Sequence, residues 1–558
     1  MTEYIKSKKS NCKNCYKCIR HCPVKSIRFS NNQANIVASE CILCGNCYTI
    51  CPQHAKEIRN DISVVNELIK SRVPVYASIA PSFISNYKGI SFASMRKTLK
   101  NLGFTDAEET AVGATIVKKQ YEKMTFENTR SVIISSCCHT VNTLIQNYYP
   151  HALPFLADII SPMQAECMDI KRRFPEAKTV FIGPCISKKA EAELYPENVD
   201  CVLTFEELTE WMKEERIYPE SDISDDKTGI ARLFPTSGGI INSMIDKNPD
   251  FVYLSVDGIE NCMHALDDII NGKIKNCFIE MSACIGSCIG GPAKVKKADS
   301  PVSDYISVNN YAGKKDFSVF DYTESSLKKN IAMVSNRKAA FNEKSIKEVL
   351  SKIGKTLPEH ELNCGGCGYN TCIDKACAVL EGKADLNMCL PYLIEKAESF
   401  SDNIIKNTPN AIIVLNENLE VQLVNSAACK MMNIKNQNDV LNSQVVCILD
   451  PLPFMEAYQN GKNTYDKSVY IAEYKKYAEQ TVIYDKSHHI IICFMRDITE
   501  ETNQRENKEA ISRRTMEIAD KVIEKQMRSV QEIASLLGET TAETKVALTK
   551  LKESLKDE

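Results

Sequence analysis

No stretch of the 558 residues sustains the roughly 18 consecutive apolar side chains that a membrane-spanning helix needs. The opening MTEYIKSKKSNCKNC also lacks the apolar core of a secretory signal, so the protein is expected in the cytoplasm, with no membrane partner. Charge of one sign is missing too. The formal net charge is -3, and Lys and Arg are spread without a block, which argues against a nucleic-acid surface. With 44% apolar and 25% charged residues the chain fits a globular protein, and its length calls for three to five domains.

Cysteine is what abounds. In a long chain without an export signal, 25 cysteines point to metal or redox chemistry and away from disulfides. Their clustering supports this, since residues 1–51 hold eight and residues 364–389 hold five. The runs CKNCYKCIRHCP (Cys12, Cys15, Cys18, Cys22) and CILCGNCYTICP (Cys41, Cys44, Cys47, Cys51) each have the bacterial ferredoxin spacing CxxCxxCxxxCP. Such a loop wraps a cubane whose soft irons prefer thiolates. Zinc on eight thiolates would not need the doubled run. In two-cluster ferredoxins the last cysteine of each run serves the other cluster. Cys12, Cys15 and Cys18 are therefore paired with Cys51, and Cys41, Cys44 and Cys47 with Cys22, giving a two-cluster 4Fe-4S ferredoxin domain over residues 1–60. Farther on, CGGCGYNTC and NMCLP supply Cys364, Cys367, Cys372 and Cys389, a set that suits a cubane or a zinc. This segment resembles the small iron-sulfur domain of corrinoid proteins and electron-transport subunits, which implies a 4Fe-4S cluster within residues 346–398.

Between residues 70 and 345 short β-rich runs alternate with helical patterns: VPVYASIA, SVIIS, TVFIG, DCVLTF, DFVYLSV and CFIEMSA. Runs apolar on both faces and separated by helices predict parallel sheets covered on both sides, with ligands at the carboxyl ends of strands. Cysteines stand at those ends: Cys137 and Cys138 after SVII, Cys185 after TVFI, Cys284 and Cys288 after CFIEM. Cys138, Cys185, Cys284 and Cys288 could ligate one further cubane. In extended backbone adjacent side chains point to opposite sides, so Cys137 would face a pocket beside that cluster. A titratable thiol there can donate protons; the alternative is an inert buried cysteine.

The motifs SSCCHT (135–140), GPCISKKAE (183–191) and EMSACIGSCIGGP (280–292) resemble the three signatures of the iron-iron hydrogenases, and the likeness extends from Tyr4 to about Val308. It implies an H-cluster: a 4Fe-4S cubane on Cys138, Cys185, Cys284 and Cys288, joined through Cys288 to a diiron site with CO, CN and a dithiolate bridge. It further implies proton relay by Cys137, a cyanide contact from the ammonium of Lys188, and further cyanide contacts at Ser82 and at Ser161 and Pro162. Several positions depart from the family pattern. His139 replaces a proline, Gly183 and Ser282 replace methionines, and Met163 replaces a glutamine. After Gly113 and Ala114 the chain reads TIVKKQYEK where catalytic members carry an acidic pair for proton passage.

Residues 399–502 resemble a PAS domain, with a hairpin in NAIIVLNENLEVQLVN and a closing DIT at 497–499. In residues 503–558 the positions Ile523, Met527, Val530, Ala534, Leu537, Thr541, Thr544, Leu548, Leu551 and Leu555 keep an unbroken four-three spacing. That spacing predicts a coiled coil, as a homodimer or docked on a partner. No kinase, phosphatase or DNA-binding signature comes after it, so output would pass to a downstream signalling protein. The fold class expected is therefore multidomain α/β and α+β, with parallel sheets around the H-cluster. The expected function is a sensory iron-iron hydrogenase that slowly and reversibly oxidises dihydrogen, exchanging electrons with a redox partner such as ferredoxin. The alternatives are a catalytic hydrogenase coupled to ferredoxin and a non-catalytic iron-sulfur scaffold.

Overall fold

A computed structural model describes residues 4–8, 11–127, 129–222, 228–295, 300–334, 341–537 and 542–555, and leaves the side chains of 534–545 outside the description. The chain divides into two units, Met1–Tyr392 and Leu393–Glu558.

In the first unit β1 (Ile5–Ser7), β2 (Ile27–Ser30), β3 (Gln33–Ile36) and β4 (Lys56–Ile58) frame the two N-terminal cysteine loops. β1 pairs with β4 and β2 with β3, both antiparallel. The six apolar runs then become strands, joined by one that the hydrophobic pattern hides: β5 (Val75–Ile79), β6 (Asp106–Glu109), β7 (Val132–Ile134), β8 (Lys178–Gly183), β9 (Cys201–Thr204), β10 (Val252–Asp257) and β11 (Cys277–Ser282). They form two sheets, ordered β6-β5-β8-β9 and β10-β11-β7, and every pairing within them is parallel. β5, β7, β9 and β11 are buried along their whole length, as strands covered on both faces must be.

β6 escapes the pattern because its sequence is DAEE. Each of its carboxylates has a cation: Asp106 pairs with Arg96 and Lys100, Glu108 with Arg173, and Glu109 with Arg232. The last pair is buried. The guanidinium of Arg232 donates to both carboxylate oxygens of Glu109, at 2.9 and 2.6 Å, and lies 4.2 Å from the ring centroid of Tyr311. It thereby ties β6 to the segment that leads into the second sheet.

The cysteine loops dock closely. Gly45 has a positive φ of 77°, and a Cβ on it would lie 2.5 Å from Pro292, so only glycine lets the second ferredoxin loop reach the strand-end cysteines. Residues 346–392 pack on the same module from another side. Arg20 donates to the carbonyls of Gly365 and Gly366, Lys25 to that of Gly368, and the Phe29 amide to Lys383 O.

Helix Leu390–Asn407 carries the chain into the second unit. There β12 (Ala411–Asn416), β13 (Val421–Val424), β14 (Thr464–Ile471), β15 (Lys476–Asp485) and β16 (Ile490–Asp497) form one antiparallel sheet ordered β13-β12-β16-β15-β14. β12 alternates buried and half-buried residues, and Ile413, Leu415, Phe454, Val482 and Ile491 form the centre of its core. His488 and His489 lie in the turn between β15 and β16 and are exposed.

The tail corrects the expectation of one continuous seam. It is two helices, Thr499–Leu537 and Ala542–Ser554, and Lys552 reaches back to Asp520 at 2.6 Å. Ile523, Met527, Val530 and Leu548 are half-buried, so seam positions are covered within this chain. Leu551 and Leu555 are exposed, Thr541 lies outside the described residues, and the side chains of Ala534, Leu537 and Thr544 are not described. Among the described residues no helix is long and apolar enough to cross a membrane.

Breaking a buried ion pair strands its partner charge, so Arg232→Met should lower stability by about 3 kcal/mol. Thermal or urea unfolding of the first unit's transition measures this.

Candidate functional site: thiol cages around a buried cavity

The carboxyl ends of β7, β8 and β11 converge because the strands are parallel and lie in neighbouring sheets. β7 delivers Cys137 and Cys138, the latter capping helix His139–Tyr148. β8 leads to Cys185, and β11 leads to Cys284 and Cys288. The thiols of Cys138, Cys185 and Cys288 all act on that of Cys284, so the four form one cage. A cavity of about 110 Å³ opens beside it, lined by Ser82, Cys137, Pro162, Lys188, Glu280 and Cys288 among others. Cys288 faces this cavity, and burial pushes its thiol up to about 12.

The cavity wall is mostly apolar, with a few polar groups set into it. The hydroxyls of Ser82 and Ser161 are buried and have no hydrogen-bond partner among the described residues. Unmet buried donors of this kind call for a ligand. Pro162 lines the wall, and Ser161 caps the same helix, Pro162–Arg173. The ammonium of Lys188 donates to the Cys137 carbonyl at 3.1 Å and to Glu191, which leaves its third N–H for a ligand. Burial would raise the carboxyl of Glu191, but Lys188 and Lys329 outweigh it and hold the group near about 2. A diatomic-ligated iron pair held by thiols, hydroxyls and one ammonium fits this donor set.

The departures from the family pattern acquire structural reasons. A Cβ on Gly183 would lie 2.7 Å from the Phe181 ring, so that ring, which lines the cavity, occupies the room of a side chain at 183. His139 is buried, and burial together with Lys188 and Lys329 depresses its imidazole to about 4, keeping it neutral. Met163 and Ser282 both line the wall.

Two residues escaped sequence reasoning. Tyr121 belongs to helix Thr110–Glu127, on the buried face that also carries Thr110, Ala114 and Val117. Its hydroxyl lies 3.2 Å from Cys137 Sγ and 3.2 Å from Ser136 Oγ, and accepts the Ser136 amide at 2.9 Å. Helical spacing from Gly113 and Ala114 could have flagged it. Glu280, inside the quoted motif EMSACIGSCIGGP, is buried against the cavity, and its carboxylate accepts the amides of Ile240 and Ile241 at 2.9 and 3.1 Å. Burial raises it to about 7, the range in which a carboxyl can both give and take a proton. In register with it on β10 stands Ser255, exposed and 3.2 Å from Ser237.

The other cages group by charge. Cys12, Cys15 and Cys51 act on Cys18, whereas Cys22, Cys41 and Cys44 act on Cys47, which is the crossed arrangement of a dicluster fold. Cys364, Cys367, Cys372 and Cys389 line a further, small cavity of about 20 Å³. Among the described residues no three His, Cys, Asp or Glu groups close in to hold a single ion. Cys44 acts on Cys284, which puts the second ferredoxin cage next to the strand-end cage.

The first unit carries iron-sulfur segments and a hydrogenase-like domain. Residues 73–292 match the family described as iron only hydrogenase large subunit, C-terminal domain; residues 4–52 match a 4Fe-4S dicluster domain, and residues 358–391 a putative Fe-S cluster segment. The chain is 26% identical to the periplasmic [Fe] hydrogenase large subunit of Nitratidesulfovibrio vulgaris, over 45% of this chain and 70% of that one. It is 25% identical to the NADP-reducing hydrogenase subunit HndD of Solidesulfovibrio fructosivorans, over 46% and 56%. It is also 22% identical to the cytosolic Fe-S cluster assembly factor NAR1 of Yarrowia lipolytica, over 36% and 49%. Among solved structures, an FeFe-hydrogenase HydA1 from Chlamydomonas reinhardtii aligns with a TM-score of 0.36 at 17% identity, covering 43% of this chain and 87% of that one. The PAS domain of nitrogen regulation protein NR(II) from Vibrio parahaemolyticus aligns with a TM-score of 0.15 at 19% identity, covering 18% and 97%.

Crossed ligation can be tested by substitution and iron counting. Cys18→Ser and Cys51→Ser should abolish the same electron paramagnetic resonance signal, and Cys22→Ser and Cys44→Ser the other, each with loss of about four irons. Loss of one signal by the Cys18 and Cys22 variants together would reverse the assignment.

Proposed function

We propose that the chain is a sensory iron-iron hydrogenase, binding dihydrogen at an H-cluster in the cavity beside the strand-end cage and reporting its redox state through the PAS-like second unit. The observation that carries the reading is the convergence on one buried space of a free thiol, Cys137, one ammonium, Lys188, and one unpartnered hydroxyl, Ser82, beside a four-thiol cage, with the unpartnered hydroxyl of Ser161 at the start of the helix whose Pro162 lines the same space. A scaffold without hydrogen chemistry has no use for that set. When bound, the diiron group would supply an open iron coordination site and a bridging base for heterolytic splitting of dihydrogen.

The protein's own residues hold the cofactor and move the protons and electrons. Cys138, Cys185, Cys284 and Cys288 would hold the cubane, and Lys188, Ser82 and Ser161 would contact the diatomic ligands. Cys137 would hold and pass on a proton beside that group. Its thiol is raised to about 12 by burial, although the Tyr121 hydroxyl and Lys188 lower it, so it stays protonated and relays without ionising for long. Onward from Cys137 the titratable group on the cavity wall is Glu280, with Ser255 and Ser237 on its outward side. Electrons leave through the cage of Cys44 to the rest of the dicluster module and to a redox partner of ferredoxin type. The antiparallel sheet and helical tail pass the state to a downstream protein, a second copy of the chain being one arrangement.

Infrared spectra of anaerobically matured protein test the reading. Carbonyl and cyanide bands should appear and shift under dihydrogen, and Cys137→Ala should keep the bands while slowing turnover at least about a hundredfold. Absence of the bands in fully iron-loaded protein would leave an assembly-factor-like scaffold.

The pH dependence has a definite sign. Glu280 is protonated below about 7 and can donate, so hydrogen evolution should fall as pH rises through that value, and Glu280→Gln should be slower with no inflection there. The folded carboxyl binds its proton more tightly than an ordinary one at 4.5, so the wild type should also lose stability, relative to Glu280→Gln, as pH rises between about 4.5 and 7.

A further inference from the structure

The small cage of Cys364, Cys367, Cys372 and Cys389 is lined by two lysines, Lys355 and Lys375, both buried. Lys375 lies one helical turn beyond Cys372, and the thiols of Cys367, Cys389 and Cys372 all act on its ammonium. Its Nζ donates to the carbonyls of Asp385 and Leu386 at 2.7 and 3.5 Å, and Lys355 donates to that of His360 at 2.6 Å. The carboxylate of Asp385, which accepts the Asn387 amide, also acts on the Lys375 ammonium, after the thiols of Cys367 and Cys389, and Asp374 accepts the Thr371 amide. Among the described residues neither lysine forms an ion pair. In the dicluster module, by contrast, one buried lysine, Lys56, acts on both Cys18 and Cys47 and is thus shared between two cages.

The cage also abuts that module. The thiols of Cys12 and Cys367 both act on Tyr16, and those of Cys367 and Cys22 both act on Tyr369. Gly368 has a positive φ of 93°, and a Cβ on it would lie 3.0 Å from Ile19, so the two loops meet at backbone distance.

We propose that Lys375, with Lys355, makes this small cage the electron sink of the chain. A 4Fe-4S cluster gains one negative charge on reduction, and a desolvated ammonium at its edge stabilises that added charge and so raises the midpoint potential. The inference rests on the hydrogenase reading for its electron source. Each dihydrogen gives two protons and two electrons; the protons leave by Cys137, one electron settles in this cage, and the other stays in the dicluster module or passes to a ferredoxin-type acceptor. Cys389 immediately precedes helix Leu390–Asn407, so the ligand set that holds the stored electron includes the residue from which that helix starts.

The test is a mediated redox titration of the full-length, iron-loaded protein followed by electron paramagnetic resonance, with the signal of this cage assigned by its absence in Cys372→Ala. Lys375→Met should lower the ratio of reduced to oxidised cluster at fixed potential by about tenfold, equivalent to about 59 mV for one electron, whereas Lys375→Arg should titrate like the wild type. An unchanged potential in Lys375→Met, or an equal shift in Lys375→Arg, would overturn the proposal, the latter by assigning the effect to packing. If Lys375→Met fails to hold its cluster, Lys355→Met carries the same expectation and the same refutation. Chemical reductants drive the titration, so its outcome does not depend on whether the protein handles dihydrogen.

Discussion

A thiolate cannot be buried without a countercharge, and the first unit is organised around that constraint. Desolvation raises Cys138, Cys284 and Cys288, and likewise Cys41, Cys44 and Cys47 in the dicluster module. Left to themselves these groups stay protonated. A cationic iron-sulfur core reverses the balance by drawing the thiols into thiolates, so loading releases protons and couples cluster binding to the final packing of the loops. The parallel sheets, the glycine at 45 and the close docking of residues 346–392 shield much of the cages, although Cys15, Cys288 and Cys364 stay exposed, and where burial is deep the few ammonium groups nearby gain electrostatic reach.

Order along the chain is then translated into order of electron flow. The strand-end cage touches the second ferredoxin cage through Cys44, that cage includes Cys22, and Cys22 and Cys12 both lie near the small cage through Tyr369 and Tyr16. Residues more than 300 positions apart are adjacent because Gly368, without a side chain of its own, lies directly against Ile19. The small segment is built into the first unit, where Arg20 and Lys25 hold its carbonyls, so it is in direct contact with the dicluster module.

Spacing-based features were legible in the sequence, and features that depend on tertiary charge pairing were not. The doubled CxxCxxCxxxCP runs and the apolar strands β5 and β7 to β11 announce themselves, because cluster loops and doubly covered strands impose a residue pattern on the chain itself. β6 stayed hidden because DAEE is unfavourable as a strand until Arg96, Arg173 and Arg232 arrive from elsewhere. Glu280 sat within a quoted motif, yet nothing in its spacing shows that it is buried under the amides of Ile240 and Ile241. The tail failed in the other direction. Its four-three pattern is continuous in sequence, but seam residues Ile523, Met527 and Val530 are half-covered and Lys552 returns to Asp520 of the preceding helix, so periodicity alone could not distinguish a partner from the chain's own second helix.

The same contrast explains how the cavity can retain its cofactor contacts while handling protons differently. On helix Thr110–Glu127 the group touching Cys137 is the phenol of Tyr121, which burial and the neighbouring thiol push well above its ordinary range. Such a phenol can orient the thiol but cannot exchange a proton with water at neutral pH. The carboxyl of Glu280 has the opposite character: held by backbone amides and raised to about 7, it titrates where the protein works. A titratable wall on β11 and a non-titratable one on the helix place proton traffic on the side of the sheet whose edge strand, β10, reaches solvent at Ser255. Passage there runs through a single carboxyl and two hydroxyls without an acidic series, so each proton waits on one group. Under the proposed sensory reading such a slow step is an advantage, because electrons would remain on the clusters long enough for their charge to be read.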